Sequence, residues 1–149
     1  MPDEAYARIL DVDWDREKLR AAALSVEGLV EQSESEQRPH KISFEASSAS
    51  PDALVARLRA ALDATGLAFN LVYSAGKDVD ILPKRASKGE GLRVLHSELA
   101  EDPASALLLA ERTLVCGDSG NDVELIAVDN VRACIVANSK PELRQWCAF

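Results

Sequence analysis

No stretch of the 149 residues approaches the roughly 18 consecutive apolar residues of a membrane span, and no charged segment followed by an apolar one opens the chain. The expectation is a protein with neither membrane span nor signal peptide, working in the cytoplasm. Positive charge is also scarce, with 17 Lys and Arg against 25 Asp and Glu and a net charge of -8. A nucleic-acid binder needs a basic patch to meet phosphates, so that class is excluded. An anionic membrane surface is disfavoured for the same reason, which leaves a small substrate or a protein partner. Cysteines number three, Cys116, Cys134 and Cys147, an odd count with wide spacing and no metal-ligand pattern. They read as reduced intracellular thiols, two of them inside apolar strand-like runs. His40 and His96 are isolated from any Cys, Asp or Ser arrangement in sequence, and no internal repeat or low-complexity segment stands out.

What is present is globular in kind. Hydrophobic residues make up 47% and charged ones 28% of the chain, enough apolar surface for a core. The length suits one domain or two small sub-domains. Asp13 reads as the start of a helix over Trp14 to Val30 that carries Leu19, Ala22, Val26 and Leu29 on one face. Lys41 to Ala46 alternates as a half-buried strand with Ile42 and Phe44 on one side. Ser50-Pro51-Asp52 opens a helix that should end near Thr65, at Gly66. Leu67 to Tyr73 and Val79 to Leu82 read as strands around the loop 74–78.

Ser87-Lys88-Gly89-Glu90 forms a capping box that starts a helix carrying Leu92, Leu95 and Leu99. A linker of about 12 residues with Leu107, Leu108 and Leu109 follows, a usual upper length for a loop. Then come a strand over 113–117, a short helix over Val123 to Val128, a strand over Ala133 to Ala137, and a helix begun by Ser139 and Glu142 with Leu143 and Trp146 facing the core. Helix and strand alternate from residue 87 onward, which requires right-handed crossovers and a parallel sheet. Residues 1–83 form a separate α/β module, and residues 84–149 the second unit.

Asp118-Ser119-Gly120-Asn121-Asp122 follows the apolar run 113–117. It places two carboxylates and an amide on one turn at the carboxyl end of a strand, where open α/β sheets bind ligands. Such a carboxylate suits a hard cation that takes a few carboxylates and phosphate oxygens. Lys88 lies in the first turn of its helix, where the macrodipole disfavours a cation by about 0.3–1 kcal/mol. An acid partner and a bound phosphate would make sense of that position. Asp122 is the natural partner, so a Lys88–Asp122 ion pair is expected within hydrogen-bonding reach. Lys77, Asp78 and Asp80 lie on a polar loop and strand edge suited to sugar hydroxyls, with Lys41 a weaker candidate.

The block SAGKDVDILPKRASKGEG over 74–91, followed by LVCGDSGNDVEL, resembles the haloacid-dehalogenase phosphatase superfamily, and within it the sucrose-phosphate phosphatases and the related domain of sucrose-phosphate synthases. RPHKISFEA and the run VANSKPEL with Trp146 extend the likeness over nearly the whole chain. The resemblance implies an α/β fold in which residues 84–149 are the C-terminal half of a doubly wound parallel core and residues 1–83 its cap. It implies Mg²⁺-dependent hydrolysis of a sugar phosphate, sucrose 6-phosphate above all. Lys88 would be the phosphate-stabilising lysine and Asp118 the Mg²⁺ ligand, with Asn121 and Asp122 supporting the site. Lys77, Asp78 and Asp80 would face the sugar, and a sucrose-phosphate synthase is a conceivable partner.

The family also uses an aspartate nucleophile at the end of a first strand, with a second aspartate two residues later. Both should lie well before the cap, where Asp11-Val12-Asp13 is the one superficial candidate, and Ile9-Leu10 before it is too short for a buried strand. Helix capping is the expected role of that stretch, and the chain reads as an enzyme fragment lacking the nucleophile and inactive alone. The alternatives are a non-catalytic sugar-binding or regulatory protein and a phosphatase for another sugar phosphate.

Overall fold

The structure, a computed structural model, describes residues 3–47, 50–74, 76–101 and 112–148. Leu107, Leu108 and Leu109 of the expected linker lie outside them. The described residues fall into two compact units divided between Ala86 and Ser87, three residues beyond Pro83, where the sequence places the boundary.

The first unit is an antiparallel sheet covered on one face by helices. Its elements are α1 (Glu4–Leu10), α2 (Arg16–Leu24), β1 (Leu29–Glu31), a 3₁₀ turn (Glu34–Glu36), β2 (Ile42–Ala46), α3 (Pro51–Asp63), β3 (Phe69–Ser74) and β4 (Asp78–Pro83). The strand order is β1-β2-β4-β3. Alternation along β2 and β4 sends Ile42, Phe44, Val79 and Ile81 to one face, where they are fully buried with Leu19 and Ala23 of α2 and Leu54, Leu58 and Leu62 of α3. Side chains two apart in a strand share a face, so this apolar pattern also fixes the register. The opposite face is mixed, with the exposed Val30 and Val72 beside polar residues. It pairs Ser43 with Asp80 and Glu45 with Asp78 across the β2–β4 ladder.

The opening residues form a helix because the Asp3 carboxylate accepts from the Tyr6 backbone N–H at 2.7 Å. The next helix starts at Arg16 rather than Trp14, capped by Asp15, whose carboxylate accepts from Lys18 N–H at 3.0 Å. It ends at Leu24 rather than Val30. Gly28, at φ 100°, lets the chain turn back, so that Leu29–Glu31 pairs with β2 as an edge strand. Trp14 packs against the core and donates its indole N–H to the Pro39 carbonyl at 2.9 Å.

The second unit comprises α4 (Lys88–Glu101), β5 (Leu114–Gly117), a 3₁₀ turn (Gly120–Asp122), α5 (Val123–Ile126), β6 (Arg132–Ile135) and α6 (Pro141–Cys147). β5 and β6 pair in parallel, as the alternation of helix and strand requires. The chain is thus mixed α/β. Two expectations about its last helix fail. Lys140, not Ser139, occupies the N-cap. Ser139 is buried and receives the Arg144 guanidinium on its carbonyl at 2.9 Å and its hydroxyl at 3.1 Å, so its side chain is committed elsewhere. Leu143 is fully buried, whereas Trp146 is 42% exposed and does not face the core of its unit. Leu95 of α4, expected on an apolar face, is likewise 49% exposed.

Candidate active site

Every element of the second unit's site turns on a carboxylate folded back beneath its own strand end. Asp122 closes the 3₁₀ turn after β5. Its Oδ2 accepts from the backbone N–H of Asp118 at 2.8 Å and of Ser119 at 3.3 Å, completing a capping box with Ser119. These amides are orphan donors at a helix start, and a carboxylate there satisfies them while meeting the positive end of the turn. The other oxygen, Oδ1, takes a charge-assisted bond from Lys88 Nζ at 2.5 Å. The Lys88–Asp122 pair expected from sequence is therefore formed, with the carboxylate 4% and the lysine side chain 52% exposed.

That asymmetry is useful. Burial by itself would raise the Asp122 carboxyl, but the Lys88 hydrogen bond and the two backbone amides outweigh it and hold the group below its ordinary range. Asp122 thus stays ionised and holds the lysine by one end, while half of the ammonium side chain remains open to solvent. Lys88 Nζ also reaches Asn121 Oδ1 at 3.5 Å. Ser119 Oγ ties the turn together by bonding Asp118 Oδ1 at 3.1 Å and Asn121 Oδ1 at 2.9 Å. Asp118 and Asn121 are exposed at the rim, so Lys88, Asp118, Asn121 and Asp122 stand on one surface of this unit.

Two glycines make this approach possible, through the space they leave. A Cβ on Gly89 would stand 2.3 Å from the Glu124 carbonyl oxygen, so only glycine lets α4 bring its first turn against α5. A Cβ on Gly117 would stand 2.7 Å from the Asp122 Cβ, in the space that carboxylate occupies. The available signal was Gly89 inside a helical pattern, which marks a close packing partner when it is retained at a cost in helix propensity. Two further bonds seat the turn on the next strand's exit, Lys140 N–H to the Asp118 carbonyl at 2.7 Å and Val136 N–H to that of Gly117 at 3.1 Å.

Lys77, Asp78 and Asp80 lie in the first unit, where each has a partner of its own. Lys77 pairs with Glu45 at 2.9 Å. Asp78 accepts from Gln32 Nε2 at 3.0 Å, and Asp80 accepts from the buried Ser43 hydroxyl at 2.6 Å with Lys41 Nζ 3.7 Å away. Asp78 and Asp80 thus belong to the face of the sheet opposite the helices. His40 is not isolated, since its Nε2 meets Asp11 Oδ1 at 2.8 Å. His96 bonds Thr113 Oγ1 at 3.0 Å. Asp11 caps the C-terminus of α1 and Asp13 adopts φ 58° in the following turn, so neither ends a strand.

Among the described residues no three His, Cys, Asp or Glu side chains cluster as a metal site. The turn does offer one exposed carboxylate, Asp118, beside an amide oxygen. Such a hard-oxygen set suits a cation that completes its shell with water and phosphate oxygens.

Known proteins resemble the chain over nearly its whole length. The family model for sucrose-6F-phosphate phosphohydrolase matches residues 1–148. The chain belongs to the sucrose-phosphatase family. It is 39% identical over 147 residues to sucrose-phosphatase 1 of Nicotiana tabacum, covering 99% of this chain and 34% of that protein. It is 33% identical over 141 residues to the mannosylfructose-phosphate phosphatase of Agrobacterium fabrum, covering 95% of this chain and 54% of that one. Among solved structures, the sucrose-phosphatase from Synechocystis sp. PCC6803, in complex with sucrose and phosphate, superposes with a TM-score of 0.74 at 39% identity, covering 97% of this chain and 56% of that chain. The fold is therefore of the haloacid-dehalogenase type. The chain spans about a third of the length of the plant sucrose-phosphatases it matches. None of the helices in the described residues is long and apolar enough to cross a membrane.

Proposed function

We propose that this chain carries the phosphate-handling half of a cytoplasmic sucrose 6-phosphate phosphatase. The observation that supports it best is the Lys88–Asp122 pair at 2.5 Å beside the exposed Asp118. An ammonium held at one end by a buried, ionised carboxylate has little orientational freedom left, so it meets phosphate oxygens at small entropic cost. Lys88 would neutralise charge on the equatorial oxygens as the phosphoryl group transfers. Asp122 acts through Lys88 by positioning it, and Asn121 would add a hydrogen bond at the rim. Asp118 would hold Mg²⁺, which when bound offsets negative charge on the phosphate. On the first unit, Asp78 and Asp80 on the sheet face opposite the helices, with Lys77 on the adjoining loop, would hydrogen-bond sugar hydroxyls and set specificity.

Asp11 and Asp13 lie on the turn after α1 rather than at a strand end, so neither is assigned the role of attacking carboxylate. The 149-residue chain, assayed by itself for phosphate release from sucrose 6-phosphate with Mg²⁺, should show no turnover above background. Robust release that Asp11→Asn abolishes would overturn the reading. The 33% identity to a mannosylfructose-phosphate phosphatase favours one second reading, a different disaccharide phosphate as substrate. Neither reading requires a synthase partner.

A further inference from the structure

Cys116 and Cys134 are opposed register partners at the centre of the β5–β6 ladder. Both are exposed, and their sulfurs lie 3.1 Å apart. Neighbouring strands run about 4.7–4.9 Å apart, inside the range of Cα separations of roughly 4.4–6.8 Å that a disulfide spans. The sulfurs stand about 1 Å beyond the S–S bond length of about 2.05 Å. Cys147 lies in α6, outside this ladder, and stands as an internal control.

We propose that Cys116 and Cys134 form a reversible dithiol–disulfide site that responds to small-molecule disulfides. The chemistry is two exchanges. One cysteine sulfur attacks a sulfur of the small disulfide, breaking its S–S bond, forming a mixed disulfide and releasing one small thiol that carries away the cysteine's proton. The second cysteine sulfur then attacks the protein sulfur of that mixed disulfide, releasing the second small thiol with the second proton. The cysteine pair loses two electrons and the small disulfide gains them. The product is a cross-link between strands whose far ends carry the Asp118 turn, bound to each other through the Gly117 and Asp118 carbonyls. Oxidation would therefore clamp that turn from beneath. This inference stands on the sulfur geometry alone and does not depend on the phosphatase reading.

The test is to treat the purified chain with oxidised glutathione, block remaining thiols with a maleimide in denaturant, and map the peptides by mass spectrometry without reduction. The expected result is the Cys116 peptide joined to the Cys134 peptide, with no glutathione retained on either and full reversal by dithiothreitol, whether or not the exposed Cys147 takes up glutathione. Cys134→Ser should instead leave glutathione on Cys116. Hydrogen exchange of residues 114–122 should slow on oxidation of the wild type and not of Cys134→Ser. Glutathione retained on Cys116 and Cys134 separately in the wild type, unreacted thiols, or cross-links running through Cys147 would overturn the proposal.

Discussion

Gly89→Ala should destabilise the second unit by about 2 kcal/mol, within the usual cost of overpacking a tight contact. Helix propensity alone predicts the opposite, because alanine in a helix is favoured over glycine by about 1 kcal/mol. The contact decides the sign. The added Cβ would stand 2.3 Å from the Glu124 carbonyl oxygen and 2.8 Å from its carbon, and both are backbone atoms that no rotamer change can move aside. Either α4 retreats or α5 shifts, and each movement carries Lys88 away from Asp122. Calorimetric melting of wild type and variant measures the effect. A variant as stable as the wild type, or more stable, would show that α4 does not depend on this approach.

Asp122→Ala should cost about 1–3 kcal/mol, the penalty for leaving buried donors without an acceptor. The Asp118 and Ser119 amides lose this acceptor, and the Lys88 ammonium keeps only Asn121 Oδ1 at 3.5 Å. Lys88 is half exposed and can recover water, so the two amides carry most of the cost. The variant should also change the pH dependence of stability. The folded protein holds Asp122 below its ordinary range, so its contribution is present in full above the unfolded carboxylate value and is lost as pH falls through the lower folded one. Urea unfolding of the wild type should therefore weaken on acidification through the region around and below pH 4. The difference between wild type and Asp122→Ala should shrink over the same interval. A difference that stays constant with pH would mean that the carboxylate's charge is not what the turn uses.

The parts of this protein that were legible in sequence are those where chemistry and backbone coincide locally. Ser50-Pro51 and Ser87-Lys88-Gly89-Glu90 announce helix starts at Pro51 and Lys88 because a hydroxyl, a proline or an acid acts within four residues of itself. The period-2 alternation of β2 is read directly from Ile42 and Phe44. The Lys88–Asp122 pair, 34 residues apart in sequence, was reachable because a cation at a helix start needs an acid and the Asp118–Asp122 turn supplies one.

What escaped was decided by neighbours distant in the chain. Leu29–Glu31 extends an apolar helical pattern and becomes a strand only because β2 offers an open edge to pair with. Gly89 and Gly117 look like ordinary helix and strand-end glycines until Glu124 and Asp122 fill the space beside them. Ser139 has the residue type of a cap, but Arg144 from the next turn claims it. His40 meets Asp11 through the fold of the first unit, across 29 residues of sequence.

Lys88 and its surroundings should recognise the phosphate of a sugar phosphate. Isothermal calorimetry of the chain in Mg²⁺ buffer, titrated with sucrose 6-phosphate and separately with sucrose, tests it most directly in wild type and Lys88→Met. Tighter binding of the phosphorylated sugar is expected, with a loss of about tenfold or more in its affinity in Lys88→Met, equivalent to about 1.4 kcal/mol, and sucrose binding unchanged. Equal affinity for sucrose and its phosphate, or an unaltered affinity for the phosphate in Lys88→Met, would contradict it.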